Sequence, residues 1–366
     1  MRRAFVITLL VFALLTPNVW AAQVEYTLVD LGPLGDAEGA GISGVMTDHG
    51  KPVAYGAYGP GPQAVVLQSG KPPQFLGSLL HNGDNSAAYG GRKGVVVGAY
   101  FGDPERDAAH AFVSTKDGFM LLRLPAGGTK AIALATNGQS IAGTCEVTSN
   151  APVPCVWPSS TAVPILLQTL GGRSGDVSAV NKHGALVGAV GVADGHAHGV
   201  YWANAQASPI DLTPHIPDNS YGFGTVTDLN DAGVALVMEQ DGNTFLGVHG
   251  CRWTLRGGCE DVGRPLWSHG FFLEKISNAG VSVGYANVAN PTYAPWPAGI
   301  HAIKVVGTTF TDLNDAIDVR AAHDWELSFA TGITDTGVIV GYGAYQGTLH
   351  GWMLVPTHAS EAAREE

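Results

Sequence analysis

A turn ending in glycine returns along this chain at Gly50, Gly94, Gly138, Gly184, Gly233, Gly280 and Gly337, with intervals of 44, 44, 46, 49, 47 and 57 residues. Such a period admits few architectures, because one unit cannot bury its apolar face alone and must stack on its neighbours. The cleanest copy runs from Asp176 to Leu212, DVSAVNKHGALVGAVGVADGHAHGVYWANAQASPIDL. It holds four short apolar runs: Val177 to Val180, Ala185 to Val190, His198 to Trp202 and a last one closing at Asp211-Leu212. Each is bounded by Gly, Asn or Asp and none has a helical period, so each reads as a strand.

The first two strands of the unit recur at Ile42 to Gly56, Ala87 to Val97, Ala131 to Gly143, Val177 to Gly188, Val226 to Met238, Leu273 to Gly284 and Thr331 to Gly341. Asp48, Asn137, Asn181, Asn230, Asn278 and Asp335 precede the turn glycines, where Asx side chains bond turn backbone and glycine supplies positive φ. Seven four-stranded units of this length predict an all-β fold, a seven-bladed β-propeller. The ends of the chain predict how it closes. The seventh unit stops after its third strand, His350 to Val355, while Glu25 to Leu31 (EYTLVDL) resembles a fourth strand yet precedes any first one. The N-terminal strand is therefore expected to complete the last blade, which removes an exposed sheet edge. An open solenoid would not divide one blade between the termini.

Residues 1–21 carry Arg2 and Arg3, an apolar stretch from Ala4 to Leu15 and a Val19-Trp20-Ala21 end, which together read as a secretory signal peptide. The apolar stretch is too short to span a bilayer, and no Cys follows to take a lipid. The organisation expected is residues 1–21 as signal peptide, 22–356 as one propeller domain and 357–366 as a polar tail, in an exported, periplasmic or extracellular monomer without membrane insertion. Export agrees with the cysteines. They fall in two close pairs, Cys145 with Cys155 and Cys251 with Cys259, each bracketing a hairpin, and disulfides persist in oxidising compartments. Zinc is the alternative for four cysteines, but the pairs lie two units apart without CxxC spacing. No metal is expected.

Excess acid, 31 Asp and Glu against 19 Lys and Arg, and the lack of a basic stripe argue against a nucleic-acid partner. No GxSxG elbow, HExxH, Walker or EF-hand sequence occurs. Gly90-Gly91 and Gly171-Gly172 read as turns that precede no helix, and no cofactor is expected.

A His-Ala or His-Gly pair opens the third strand at His110-Ala111-Phe112, His198-Gly199, His249-Gly250, His301-Ala302 and His350-Gly351; Asp30-Leu31-Gly32 closes a fourth strand, and Val187-Gly188, Val283-Gly284 and Val340-Gly341 recur in second strands. With these residues the chain resembles the HAF-repeat family of extracellular repeat proteins. The resemblance implies a secreted β-rich repeat architecture and carries no activity. It departs at the first and third units, where Gln63-Ala64 and Pro154-Cys155 replace the His pair. A histidine used once per blade reads as a peg bonding a neighbouring backbone carbonyl rather than as an acid, base or metal ligand.

Function is then expected in loops that break the repeat. Strand direction puts the second-to-third and fourth-to-first connections on one face. There Tyr100 to Ala108, Thr213 to Tyr221, Arg264 to His269, Asn287 to Gly299 and Asp312 to Glu326 are richest in chemistry, the last also accounting for the 57-residue interval. Blades six and seven would bring together Trp267, His269, Tyr293, Trp296, His323, Asp324, Trp325 and Glu326. Aromatic faces with carboxylates and imidazoles suit a glycan, peptide or partner protein. The reading preferred is a binding module or scaffold; the alternative is a glycan-active hydrolase or lyase with Asp324 or Glu326 as acid or base and His323 as partner.

Overall fold

The computed structural model describes residues 25–35, 40–59, 61–76, 85–101, 109–116, 118–147, 151–193, 196–214, 223–240, 248–288, 299–318, 320 and 323–357. The expected signal peptide, Tyr293, Trp296 and the tail beyond Thr357 lie outside them.

Seven antiparallel four-stranded sheets follow one another around a ring, a seven-bladed β-propeller. Six blades have strands in chain order; the seventh is ordered Tyr26–Pro33, Thr348–Pro356, Ile339–Tyr345, Trp325–Ile333. The N-terminal strand therefore lies beside the third strand of the last blade, Tyr26 opposite Pro356 and Val29 opposite Met353. Around this seam Glu25 N donates to Ala316 O at 3.0 Å, the Lys304 ammonium pairs with the Glu25 carboxylate, and it also lies 5.1 Å from the centre of the Tyr26 ring. Blades one and three, which lack the His pair, are complete, at 41–75 and 130–166.

The innermost strands are Gly41–Asp48, Asn85–Arg92, Lys130–Thr136, Gly171–Val180, Phe223–Leu229, Gly270–Ile276 and Trp325–Ile333. Gly90-Gly91 and Gly171-Gly172 thus belong to inner strands and are not turns, a correction with a packing reason at Gly91. A Cβ there would stand 2.6 Å from the Tyr55 ring, which needs that gap to reach the channel. The core lies between blades. Trp157, Trp202 and Trp352 sit at matching third-strand positions with no exposure. The indoles of Trp157 and Trp202 donate to Arg123 O and Gln168 O of the preceding blade, at 2.7 and 2.9 Å. Trp157 and Trp202 thus fill inter-blade gaps with their one polar atom satisfied, whereas Trp352 Nε1 is buried without a partner.

The outer strands of the first six blades are short, from two residues in blades one, three and four to four in blades two, five and six, which limits the edge open to further pairing, while that of blade seven has eight. Cys145 is bonded to Cys155 with Cα atoms 5.9 Å apart, and Cys251 to Cys259 at 5.6 Å. Each pair joins neighbouring strands diagonally, with Cys145 opposite Val153 and Cys251 opposite Asp261. Among the described residues no helix is long and apolar enough to cross a membrane.

Candidate functional site

Every inner strand bulges at one shared level, and those of blades four and seven have a second irregularity nearer their start, between Gly171 and Gly175 and between Leu327 and Phe329. Pairing skips between Ile42 and Gly44, Ala88 and Gly90, Ala133 and Ala135, Val177 and Ala179, Val226 and Asp228, Leu273 and Lys275, and Ala330 and Gly332. A bulge repeated at one level bends each strand and re-aims its side chains. The residues just past the bulges are Gly44, Gly90, Ala135, Ala179, Asp228, Lys275 and Gly332. Five blades thus have Gly or Ala at this position, and two neighbouring blades place opposite charges there.

A cavity of about 350 Å3 occupies this part of the channel, lined by inner strands of all seven blades. Lys275 Nζ stands 3.7 Å from Asp228 Oδ1, while Asp228 Oδ2 accepts the Ile276 amide at 2.9 Å. Burial alone would pull Lys275 down, but the negative charge of Asp228, helped by Tyr55 and Glu274, outweighs it and leaves the ammonium more basic than usual. Tyr55 is buried and correspondingly harder to ionise, and Tyr89, half-buried in the channel wall, is shifted the same way by burial. Glu274 is raised, first by burial and against the attraction of Lys275. Nearby, burial and then Glu274 push Tyr285 and Tyr342 up to about 12. Both phenols stay neutral hydrogen-bonding groups at any ordinary pH.

The lining ends at the first turns, where the blades are tied to one another. Asn137 Nδ2 donates to Asn181 O at 3.0 Å, Asn181 Nδ2 to Asn230 O at 3.3 Å and Asn230 Nδ2 to Ser277 O at 3.0 Å. Each Asn oxygen meanwhile caps its own turn, as Asn230 Oδ1 does for Ala232 N and Val234 N at 3.0 and 2.9 Å. In blades six and seven this capping place is taken by Ser277 and Thr334, whose hydroxyls accept from Val281 N and Val338 N at 3.2 and 3.0 Å. Asn278 and Asp335 stand one residue further on and form a second tier. Asp231 N donates to Asn278 Oδ1, and Asn278 N to Asp335 Oδ1, both at 2.8 Å. Across the mouth, Arg92 of blade two bonds Asp231 of blade five. Asp231 also accepts from Lys182 N at 2.9 Å. Although burial opposes it, these donors hold its carboxyl down at about 2.

The opposite, loop face carries the residues singled out from sequence. Pro265 to Ser268 form a tight turn, Ser268 N donating to Pro265 O at 3.4 Å, with its two ends buried and its tip exposed. The tip is Leu266, 99% exposed, and Trp267, 41% exposed. His269 is exposed beside them, its amide donating to Asn287 O at 2.7 Å. In the next connection His323 and Asp324 stand in solvent with 3.5 Å between Nδ1 and Oδ1. Trp325 and Glu326 lie on the inner strand of blade seven rather than in a loop, and they diverge as strand neighbours do. Trp325 packs on Tyr345 and His350, ring centres 5.0 and 5.7 Å away, whereas Glu326 Oε1 accepts the Gly299 amide at 3.2 Å. Asn314 fixes this start by bonding both the amide and the carbonyl of Leu327, at 2.8 and 3.1 Å.

In three of the five blades that carry it, the recurring histidine bonds a carboxylate, not a carbonyl. His198 pairs with Asp211 at 2.9 Å, His301 with Asp312 at 2.5 Å and His350 with Asp30 at 3.0 Å, third strand to fourth strand each time. The aspartates also cap the exit of the fourth strand, accepting from Thr213 N, Asn314 N and Gly32 N at 3.0, 2.9 and 2.7 Å. A short acidic side chain at a strand exit serves two donors, which a carbonyl in the ladder could not. The bond to Asp312 raises His301 against the effect of burial, with Glu326 and Asp315 adding to it.

The sequence could have pointed to the channel: with the units aligned on the turn glycines, Asp228 and Lys275 stand out as charges where the other blades hold Gly or Ala. Arg92 gave no such signal, because its partner is 139 residues away.

No protein-family model matches the chain, and no curated protein does. Solved structures do. YCF48 bound to D1 peptide is 11% identical, with a TM-score of 0.52 over 92% of this chain and 97% of that one. A puromycin hydrolase mutant complexed with PGG is 12% identical, with a TM-score of 0.55 over 86% of this chain and 52% of that one, so this chain spans about half its length. At such identities the likeness is one of fold, and it agrees with the seven-bladed ring.

Proposed function

We infer that the chain is an exported propeller that binds a glycan, a peptide or a partner protein on its loop face, through Trp267, His269, Tyr293, Trp296, His323, Asp324, Trp325 and Glu326. The observation that carries this reading is the Pro265 to Ser268 turn, which holds Leu266 and Trp267 out in solvent on buried ends. Exposed apolar and aromatic side chains on a rigid stem are the usual anchors of a recognition surface, since little order has to be gained on binding. Export rests on residues 1–21 and agrees with the two disulfides. Membership of the HAF-repeat family belongs to the same reading, supported by the third-strand histidines.

The test is a panel of immobilised polysaccharides and peptides probed with the secreted protein and with Trp267→Ala, scoring binding and product release together. Trp267→Ala is expected to bind at least tenfold more weakly while still folded. Unchanged affinity would move the ligand off this face, and release of shortened glycan would replace the binding role by the hydrolytic one.

A further inference from the structure

We propose that the channel cavity at the turn face is a second binding site, for a neutral sugar of one or two rings. It is independent of the loop-face reading, and no residue is shared between the two.

Size comes first. A volume of about 350 Å3 lies at the lower end of the range for small-molecule pockets. At roughly 30 Å3 per liquid water it would hold about a dozen solvent molecules, the space of a small polyol rather than of a peptide or cofactor. At this level the blades close on one another, since a Cβ on Gly90 would stand 2.6 Å from Leu134 O and one on Gly332 2.6 Å from Val45 N. Gly44 and Gly91 give up side chains so that Tyr55 can pass, since a Cβ on Gly44 would stand 2.5 Å from the Tyr55 hydroxyl.

Charge then selects among small ligands. The lining holds Arg92, Lys93 and Lys275 against Asp228, Asp231 and Asp335, three of each sign. The inner pair, Lys275 and Asp228, and the mouth pair, Arg92 and Asp231, already neutralise each other. Lys93 is exposed to solvent and Asp335 is engaged by Asn278, so an anion or a cation at the inner pair would have to displace a partner and leave a buried charge uncompensated, at high cost. A neutral polyol asks for nothing of the kind: its hydroxyls accept from the ammonium and donate to the carboxylate while the pair stays intact, and charged partners make the stronger hydrogen bonds. Tyr89 supplies a half-buried aromatic ring in the same wall for the apolar face of a sugar. Arg92, reaching across to Asp231, closes the mouth over the cavity and would have to swing aside for passage.

The experiment is calorimetric titration of the secreted, disulfide-bonded protein with glucose, galactose, mannose, maltose and cellobiose, and with glucuronate and glucosamine as charged counterparts. At least one neutral sugar is expected to bind, and at least tenfold better than its charged counterparts. Leu134→Trp, which fills the channel without touching an ion pair, should abolish that binding. Tyr89→Ala, which empties it, should weaken binding tenfold and serves if tryptophan is not accommodated. Val163→Ser on the outer rim should change nothing, and Arg92→Ala should speed association. No heat from any neutral sugar, a preference for a charged one, or sugar binding lost in Trp267→Ala but kept in a folded Leu134→Trp or Tyr89→Ala would each overturn the proposal.

Discussion

At the turn face blades three to seven bond to one another through repeated side chains, and at the loop face the connections differ in length and sequence. Asn137, Asn181 and Asn230 each cap their own turn and reach the next blade, so the repeat unit supplies both the local structure and the link. On the loop face the fixed features are small ones at strand exits: Asp30, Asp211 and Asp312 cap their turns and hold a histidine, while the connections beyond them differ in length and chemistry. The difference has a physical root. A ring held at one end by side chains buried between blades has its geometry set there, so the other end can vary its loops with little cost to stability. A ligand site built in the channel inherits the rigidity of the first end; one built on the loops inherits the freedom of the second.

The strongest way to break this contrast is to open the ring. Removing residues 22 to 31 deletes most of the outer strand of blade seven, exposes the edge of Thr348–Pro356 and takes away Tyr26 and its packing on Leu354 and Ala316. Leu28, Val29 and Leu31 go with it, partly buried; at about 1.5 to 3 kcal/mol for a fully buried apolar side chain and about half that for each partly buried one, the cost is roughly 5 kcal/mol, comparable with the whole stability of many domains. Urea melts should show the truncated chain unfolded or nearly so, with both faces lost together, whereas truncation after Thr357 should leave the midpoint where it was. A truncated ring that kept a native melting curve would show that closure is not what holds either face.

The blades were legible from sequence because strand and turn signals are local. The first strands expected at Ile42, Ala131 and Val226 fall within Gly41–Asp48, Lys130–Thr136 and Phe223–Leu229, and the divided seventh blade follows from counting strands. What was not legible depends on partners brought together by the ring. Asn278 and Asp335 read as turn caps because an Asx two residues before a glycine looks much like one three residues before; only the hydrogen bonds show that Ser277 and Thr334 do the capping. The histidine pegs were recognised, but a carboxylate on the neighbouring strand is invisible until the register is known. Irregular loops stand out in the sequence by their length, whereas in the channel the departure from the repeat is one of charge and not of length.

A second test weighs one side chain from each face. Asn230 is buried, caps two amides and bonds the next blade, so Asn230→Ala strands three backbone groups and should destabilise by about 2 to 3 kcal/mol. Trp267→Ala removes a far larger side chain, yet one 41% exposed at a turn tip with no hydrogen bond to lose, and should cost less, at about 1 kcal/mol. The order is the reverse of what side-chain size alone would give. Equal losses in thermal melts of the two variants would mean that the loop face is as tightly built as the turn face.

The smallest effect separates the two faces by pH, because their ion pairs respond with opposite sign. Asp231 has its folded pKa lowered to about 2, so its contribution is complete above its ordinary value of 3.8 and is lost as pH falls through the folded one. The shift corresponds to about 2 kcal/mol before allowing for the exposure of Arg92, and to about 1 kcal/mol after it. His301 is raised, so its contribution is complete below the ordinary 6.5 and is lost as pH rises through the higher folded value. Asp312 is lowered, by the bonds from His301 and Asn314 against burial, and fails only in acid. The His301 pair is partly open to solvent and should be worth about 1 kcal/mol or less. Melting temperatures of the wild type, Asp231→Asn and His301→Gln from pH 3 to 9 give the comparison. Asp231→Asn should lower the curve most at neutral pH and converge on the wild type toward the acid end. His301→Gln should lose most on the acid side of neutrality and converge on the wild type in alkali. If both variants ran parallel to the wild type, neither pair would be contributing through its charge, and the turn face would be held by the asparagine bonds alone.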